Sequence, residues 1–212
     1  MNTAPSSRTQ VKRSAPRATY EPAVLHAIVD AAYVCHIAFA DAHGAHCIPT
    51  ACWRSGDHLY IHGSNGSRML QCLMAQDCCV TITHVDGLVL ARSAFNHSMN
   101  YRSAMIYGRF EPVAEPAKRQ ALDDFMAFLA PGRQTEARPG NDKEFAATTV
   151  LRIPLTEAAC KVRTGPPDDD AEDMGIAVWA GVLPLARARG TPVPDAHCAV
   201  AAPDYVKNWA TS

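Results

Sequence analysis

The stretch His58-Leu-Tyr-Ile-His-Gly-Ser-Asn-Gly-Ser-Arg-Met-Leu70 combines a strand-like run, a polar Gly/Ser loop and the start of a helix. A helix that begins directly after a strand leaves several backbone N–H groups pointing at one place. Its amino-terminal end is partially positive and disfavours a cation, yet Arg68 lies in the first turn. A phosphate there would accept hydrogen bonds from the backbone, from Ser67 and from Arg68 together. The alternative is an ordinary helix capped by Ser67, with Arg68 in water.

The segments on either side of this stretch repeat with a period of two, which is typical of β-strands. Turn-forming residues at Asp41–Gly44 and Arg54–Asp57 separate the first three runs. Strands at such short and regular spacing favour a sheet or barrel over alternating βαβ units. The predicted strands are Ala32–Phe39, His46–Trp53, His58–His62, Cys78–Val85, Leu88–Arg92, Ser103–Phe110 and Ala147–Leu155, with Asp86-Gly87 as a hairpin turn.

Two helices flank the predicted strands. Glu21–Ala32 carries one apolar stripe and has a proline in its first turn. Glu115–Ala130 carries a second stripe and is ended by Pro131-Gly132. Both stripes are read as core-facing surfaces.

The composition is that of a globular protein, with 48% hydrophobic and 19% charged residues among 212. A formal net charge of −1 creates no broad field for nucleic acid or an anionic membrane, so neither partner is predicted. We interpret residues 18–212 as a single domain with a C-terminal extension. Met1–Arg17 is interpreted as a flexible basic arm, because it lacks the apolar stretch of a secretory signal.

The eight cysteines show no CxxC spacing and no zinc-finger grouping with histidine. A thiol inside an apolar strand behaves as a small hydrophobic group. Buried, reduced thiols are expected at Cys35, Cys47, Cys52 and Cys79. This usage predicts a cytoplasmic protein.

A second polar segment, His97-Ser-Met-Asn-Tyr-Arg-Ser103, adjoins a strongly apolar strand and is expected to be irregular. It combines hydroxyl, amide, phenol and guanidinium groups, which need partners at the end of a sheet. Two interpretations remain open from the residues alone: a surface loop with local side-chain caps, or part of a ligand site. No nucleophile elbow, paired-carboxylate motif or complete metal-ligand set accompanies it, so no metal site is predicted.

Taken together, these segments resemble the pyridoxamine-5′-phosphate-oxidase-like flavin-binding proteins, and most closely their nitroimidazole-resistance (Nim-type) branch. The resemblance covers nearly all of Val11–Pro194, and the order and spacing of its motifs match as well as their residue types. The motifs are Leu59–Ser64, Gly66–Arg68, Thr83–Arg92, His97–Ser103 and Trp179–Gly181.

The resemblance implies a mainly β fold with flanking helices, a six-stranded FMN-binding split β-barrel of Greek-key type. It also implies a homodimer with cofactor sites at the subunit interface. In such proteins the Ser-Arg pair that opens the helix binds the phosphate of flavin mononucleotide (FMN), and neighbouring strands line the flavin ring. Carried onto this sequence, the cofactor-binding residues are Ile48, Pro49, Thr50, Ile61, His62, Gly63, Ser64, Ser67, Arg68, Arg102 and Ser103. Tyr101 and Trp179 are candidates for the substrate side, and the alternative for Trp179 is packing at the subunit interface.

One position departs from the pattern. True pyridoxamine-phosphate oxidases usually carry lysine directly after the phosphate-binding arginine, whereas this chain has Met69. Arg102 or Arg92 could replace the lost cation. The C-terminal Arg/His substrate motif of the true oxidases is also lacking, so that activity is not predicted.

The resemblance implies an FMN-dependent oxidoreductase or reductase that acts on a small organic substrate. Because a flavin supplies the redox chemistry, no catalytic residue is assigned. One alternative is a non-catalytic flavin- or haem-binding protein for storage or sensing, with His36, His62 or His97 as an axial haem ligand. Another is a reductase that uses the deazaflavin F420.

Overall fold

The computed structural model describes residues 3–210, which form two antiparallel sheets with helices around them. The strands are β1 (Ala18–Thr19), β2 (Val34–Asp41), β3 (Gly44–Ala51), β4 (Trp53–Ser55), β5 (His58–Ser64), β6 (Cys78–Leu90), β7 (Ser98–Gly108), β8 (Glu111–Pro112), β9 (Thr148–Pro154), β10 (Ala158–Arg163) and β11 (Gly181–Pro184). The α-helices are α1 (Pro22–Asp30), α2 (Arg68–Ala75), α3 (Ala117–Leu129), α4 (Asp142–Ala147) and α5 (Asp204–Lys207).

The larger sheet has the order β1-β10-β7-β6-β2-β3, and β11 pairs with the second half of β6. The smaller sheet has the order β4-β5-β9-β8. Side chains from both sheets fill one core, which includes Ile37, Ile61, Ile106 and Ile153. The mainly β, split-barrel fold with flanking helices is therefore confirmed.

The predicted strand His46–Trp53 is in fact two strands that belong to different sheets. β3 ends at Ala51 in the larger sheet, and β4 begins at Trp53 in the smaller one. Cys52 lies between them, fully buried, and its N–H donates to the carbonyl of Tyr33 at 3.1 Å. The alternating pattern continues across this crossing because both sheets face the same core, so sequence periodicity could not reveal the break.

The hairpin turn predicted at Asp86-Gly87 is wrong. Both residues lie inside β6, where the pairing register with β7 shifts between Val85 and Gly87, which is the mark of a β-bulge. The chain actually reverses around a 3₁₀ turn at Ala94–Asn96. The polar segment expected to be irregular is largely the start of β7, because its backbone pairs with β6 and β10.

The basic arm is held against the barrel rather than freely solvated. Arg8 donates two hydrogen bonds to the Glu157 carboxylate, at 2.8 and 2.6 Å, and pairs with Asp77 at 3.0 Å. Thr9 is buried beside it. Met1 and Asn2 of the predicted arm lie outside the described residues.

The cysteines are free thiols in different environments, not a uniformly buried set. Cys35 and Cys52 are buried as expected, but Cys47 is exposed and Cys79 is half-buried, because both lie on the face of the larger sheet that is turned away from the core. Burial raises the pKa of the Cys160 thiol to about 11 and that of Cys78 to about 12. Thiols with such pKa values are weak nucleophiles at neutral pH.

Within residues 3–210, no helix is both long and apolar enough to cross a membrane.

We expect Gly87→Ala to destabilise the fold by about 1–3 kcal/mol, the usual cost of overpacking. A Cβ atom at Gly87 would lie 2.9 Å from Cγ1 of Val182 and 3.1 Å from the carbonyl of Leu183, so β11 would have to move. Denaturation in urea measures the loss. Gly175→Ala is the matched control, because a Cβ there meets nothing within 4 Å, and equal midpoints for the two variants would contradict the expectation.

Candidate functional site

The Gly/Ser loop forms a tight turn between β5 and α2. The N–H of Ser67 donates to the carbonyl of Ser64 at 2.9 Å, and the Ser67 hydroxyl accepts from the N–H of Leu70 at 3.4 Å. Ser67 is therefore the N-cap of α2. This bond stabilises the start of the helix while Ser64 and Gly66 remain exposed.

Asn65 fixes this loop to the smaller sheet, a role that the sequence did not reveal. Its side-chain amide donates to the carbonyl of Ala146 at 2.6 Å and accepts from the Thr149 hydroxyl at 2.8 Å. Its backbone N–H donates to Ala147 at 3.1 Å. These bonds order the loop across the start of β9.

The Arg68 guanidinium is paired with a carboxylate, an arrangement that the sequence interpretation did not include. Its Nη1 lies 3.3 Å from Oδ2 of Asp41, at the tip of the β2–β3 hairpin. Oδ1 of Asp41 lies 2.9 Å from Nε2 of His46 and accepts from the N–H of His43 at 2.7 Å. The His46 contact, the His43 N–H and the charge of Arg68 together lower the pKa of Asp41. Arg68 is nevertheless 56% exposed, so an anion can still reach it.

The inner face of β3, which is the face turned toward the core, begins next to the Arg68–Asp41 pair. His46, Ile48 and Thr50 alternate along that face and are half-buried. Pro49 points to the opposite face and is exposed. The structure therefore places Ile48 and Thr50 on the same face as His46, which contacts Asp41, and places Pro49 on the opposite face. β3 is also an edge strand, so part of its backbone N–H and C=O groups pair with no other strand formed by residues 3–210.

Ile61 and His62, expected to line one flavin ring together, face opposite sides of β5. Ile61 is fully buried in the core shared by the two sheets. His62 packs beside α3, with its ring 4.9 Å from the ring of Phe125. Because successive side chains of a strand alternate, these two residues cannot contact the same face of a planar ligand.

Both candidates for the missing second cation are paired with carboxylates. Arg102 forms a two-pronged ion pair with Asp86, with both N–O distances at 2.9 Å, which lowers the pKa of Asp86. Arg92 pairs at 3.0 Å with Asp169, whose side chain is almost completely buried. Replacement of the lysine by either arginine is therefore not seen in this structure.

Tyr101 and Ser103 lie on the side of the larger sheet that faces away from the core. We call this side the outer sheet face and define it by Val34, His36, Thr81, Thr83, Val85, Tyr101, Ser103 and Met105. The Ser103 hydroxyl donates to the carbonyl of Lys161 at 3.3 Å. Trp179 is 64% exposed and folds over Gly181, next to the same sheet.

The two open antiparallel sheets around one shared core define a split-barrel protein. The chain belongs to the pyridoxamine 5′-phosphate oxidase family, whose model matches residues 21–162. The resemblance deduced from the sequence is thereby confirmed. No match was found among curated proteins.

Two solved structures are similar to almost the whole chain. The flavocytochrome Anf3 from Azotobacter vinelandii is 41% identical, covers 97% of this chain and 98% of its own, and superimposes with a TM-score of 0.93. The FAD and haem binding protein from Mycobacterium smegmatis is 34% identical and has a TM-score of 0.87. The match covers 92% of this chain and 97% of the Mycobacterium protein. A protein assigned to 5-nitroimidazole antibiotic resistance from Bacteroides thetaiotaomicron shares the fold at 22% identity, with 68% and 86% covered and a TM-score of 0.57.

We expect Asp41→Asn to make the protein less sensitive to acid. The pKa of Asp41 in the folded state lies below its ordinary value of 3.8, so the unfolded chain binds the proton more readily. The stability due to this carboxylate is complete above the unfolded pKa and is lost as the pH falls through the folded pKa. Melting temperatures measured between about pH 5 and pH 2 should therefore fall less steeply in the variant. The exposed Asp168→Asn is the control, and parallel curves for Asp41→Asn and wild type would exclude this role.

Proposed function

We propose that this protein binds a flavin nucleotide and a haem and carries out redox chemistry with them. The observation that carries the proposal is the 41% identity to a flavocytochrome over almost the full length of both chains. A flavocytochrome is a protein that contains both a flavin and a haem. The relative at 34% identity is likewise named for FAD and haem. Two such relatives at full coverage support both groups, and not the flavin alone.

Arg68, Ser67 and Asp41 lie together at the N-terminus of α2, and we call this site the corner. It fits the anionic part of a flavin nucleotide. An exposed guanidinium lies at the N-terminus of α2, where the partial positive charge of the helix also attracts an anion. Ile48 and Thr50 extend from this corner along the inner face of β3. The unpaired backbone groups of this edge strand can bind the polar edge of a flavin ring. FMN and FAD both present phosphate oxygens, so this corner suits either nucleotide.

Together the two groups, when bound, supply hydride transfer and one-electron chemistry. The chain itself then needs only to bind and orient them and to admit a reaction partner. This division agrees with the sequence, in which no nucleophilic or acid–base motif stands out. We propose a small organic molecule as the partner, with Tyr101 and Trp179 beside its approach.

We also propose that the outer sheet face binds a second copy of this chain. Val34, Val85 and Met105 are exposed there, although they are large and apolar. Among the described residues, β2 from Val34 to Ala38, β6 from Cys79 to Val85 and β7 from Tyr101 to Tyr107 contribute no carboxylate, lysine or arginine to this face. A sheet face of this kind is typical of a protein–protein interface.

The purified protein, supplied with hemin and flavin, should show flavin absorption bands together with a Soret band. Mass analysis of the released nucleotide distinguishes FMN, FAD and F420. Reduction of the haem through the flavin supports a redox role, whereas two bound groups that exchange no electrons support storage or sensing. A protein that takes up neither group contradicts the proposal.

Arg68→Ala should weaken flavin binding about 10- to 100-fold, the usual value of a charge-assisted hydrogen bond to phosphate. Arg109→Ala is the matched control, because Arg109 has the same 56% side-chain exposure and lies 3.9 Å from Asp77. Fluorescence titration with FMN and FAD gives the two dissociation constants. Equal constants for Arg68→Ala and wild type would remove Arg68 from the site.

Val85→Glu should convert a dimer into a monomer in sedimentation velocity, because it places a charge on the outer sheet face. Val193→Glu is the control, since Val193 is 90% exposed in the C-terminal segment. A wild-type protein that sediments with the mass of one chain would contradict the dimer.

A further inference from the structure

His62 lines a cavity on the side of the smaller sheet that faces away from the shared core. The cavity has a volume of about 340 Å³ and is bounded by β5, α3, the segment that follows α3, and α4. Its apolar wall consists of Leu122, Phe125, Met126 and Phe145. This volume lies in the usual range for small-molecule and cofactor sites.

Two buried nitrogen atoms in the aromatic cluster that includes His62 form no hydrogen bond among the described residues. They are Nδ1 of His62 and Nε1 of Trp53. The two rings lie 5.8 Å apart, and each also contacts the ring of Phe125. Buried polar atoms are normally satisfied, so two orphans in one aromatic cluster indicate a site built for a further group.

The protonation state of His62 suits a metal ligand. Burial among aromatic rings lowers its pKa. Burial therefore disfavours the charged imidazole and favours the uncharged form, which has an electron pair to offer a ligand.

The other eight histidines are less suited to this role. His36 and His97 are exposed, as are His43 and His197, and His58 is half-buried near the ring of Tyr60. His46 contacts Asp41, and His26 lies 3.6 Å from Asp57 beside a smaller cavity. His84 is buried, with one ring nitrogen 2.9 Å from the carbonyl of Ile28 and the other 3.4 Å from Arg187.

We propose that His62 is the axial ligand of the haem and that the cavity between α3 and α4 receives the macrocycle. The inference rests on the haem binding proposed above and chooses one histidine among His36, His62 and His97. A flat apolar ring system suits a wall of leucine, methionine and phenylalanine. At the rim, Arg138 pairs with Glu144 at 2.7 Å, and Gln134 lies nearby. The N–H groups of Arg138 and Gln134, and water at the rim, can donate hydrogen bonds to the carboxylates of a haem.

The test is a hemin titration of the full-length protein followed at the Soret band. Wild type should bind hemin with the spectrum of a histidine-ligated haem, and His62→Gly should bind at least about 10-fold more weakly, since even residues that only orient a metal ligand are worth that much. Added imidazole should restore the spectrum of His62→Gly, because the small ring can occupy the vacated position. A loss that was merely structural would not be rescued in this way.

The controls separate the possible failures. His36→Gly and His97→Gly should keep the wild-type spectrum, and loss of the Soret band in either of them with His62→Gly unaffected overturns the assignment. If wild type binds no hemin, the proposed haem function fails, whatever His62 does. Should His62→Gly fail to fold by circular dichroism, His62→Met provides the second variant. It should give a changed, methionine-type spectrum, and an unchanged spectrum there overturns the proposal.

Discussion

The alternation of side chains along β5 is the constraint on which the two candidate sites depend. Leu59 and Ile61 are fully buried between the two sheets, so the positions between and after them must face the other way. Tyr60 and His62 therefore join Trp53 and Phe125 under α3. A shift of one residue in this strand would exchange the two sets and bury the imidazole in an aliphatic core.

The same strand ends at the loop that leads to Arg68, so one element supports both the corner and the cavity. The two environments differ in their electrostatics. At the corner, Asp41 and Arg68 are partly exposed opposite charges, and an incoming phosphate would compete with the carboxylate for the guanidinium. In the cavity, burial favours the uncharged form of the His62 imidazole. One site therefore suits an anion, and the other suits an uncharged ligand atom that binds a metal.

Local patterns of residues were sufficient to predict most of the helices and strands. The apolar stripe of α1 and the alternation in β2 and β5 each reflect burial of one face, which a local pattern of residues records. Ser67 was recognisable as a helix cap for the same reason, since a cap is a local hydrogen bond. The stripe of α3 was expected to face the core, but only Ala121 of that helix is buried and Leu129 is exposed. The prediction of a hairpin turn at Asp86-Gly87 was wrong because the turn preference of a dipeptide is weaker than the pairing of β6 with β7 on one side and β11 on the other.

What the sequence determined by itself was therefore the class of fold, the position of the Gly/Ser loop and a short set of candidate ligands. Only the tertiary structure decided which candidates meet. It paired Arg102 with Asp86 and Arg92 with Asp169, brought Asp41 to Arg68, and separated Ile61 from His62. The partners in these ion pairs lie 16, 77 and 27 positions apart in the chain. Contacts over such distances arise from the packing of one strand or loop against another, and no local pattern of residues records them.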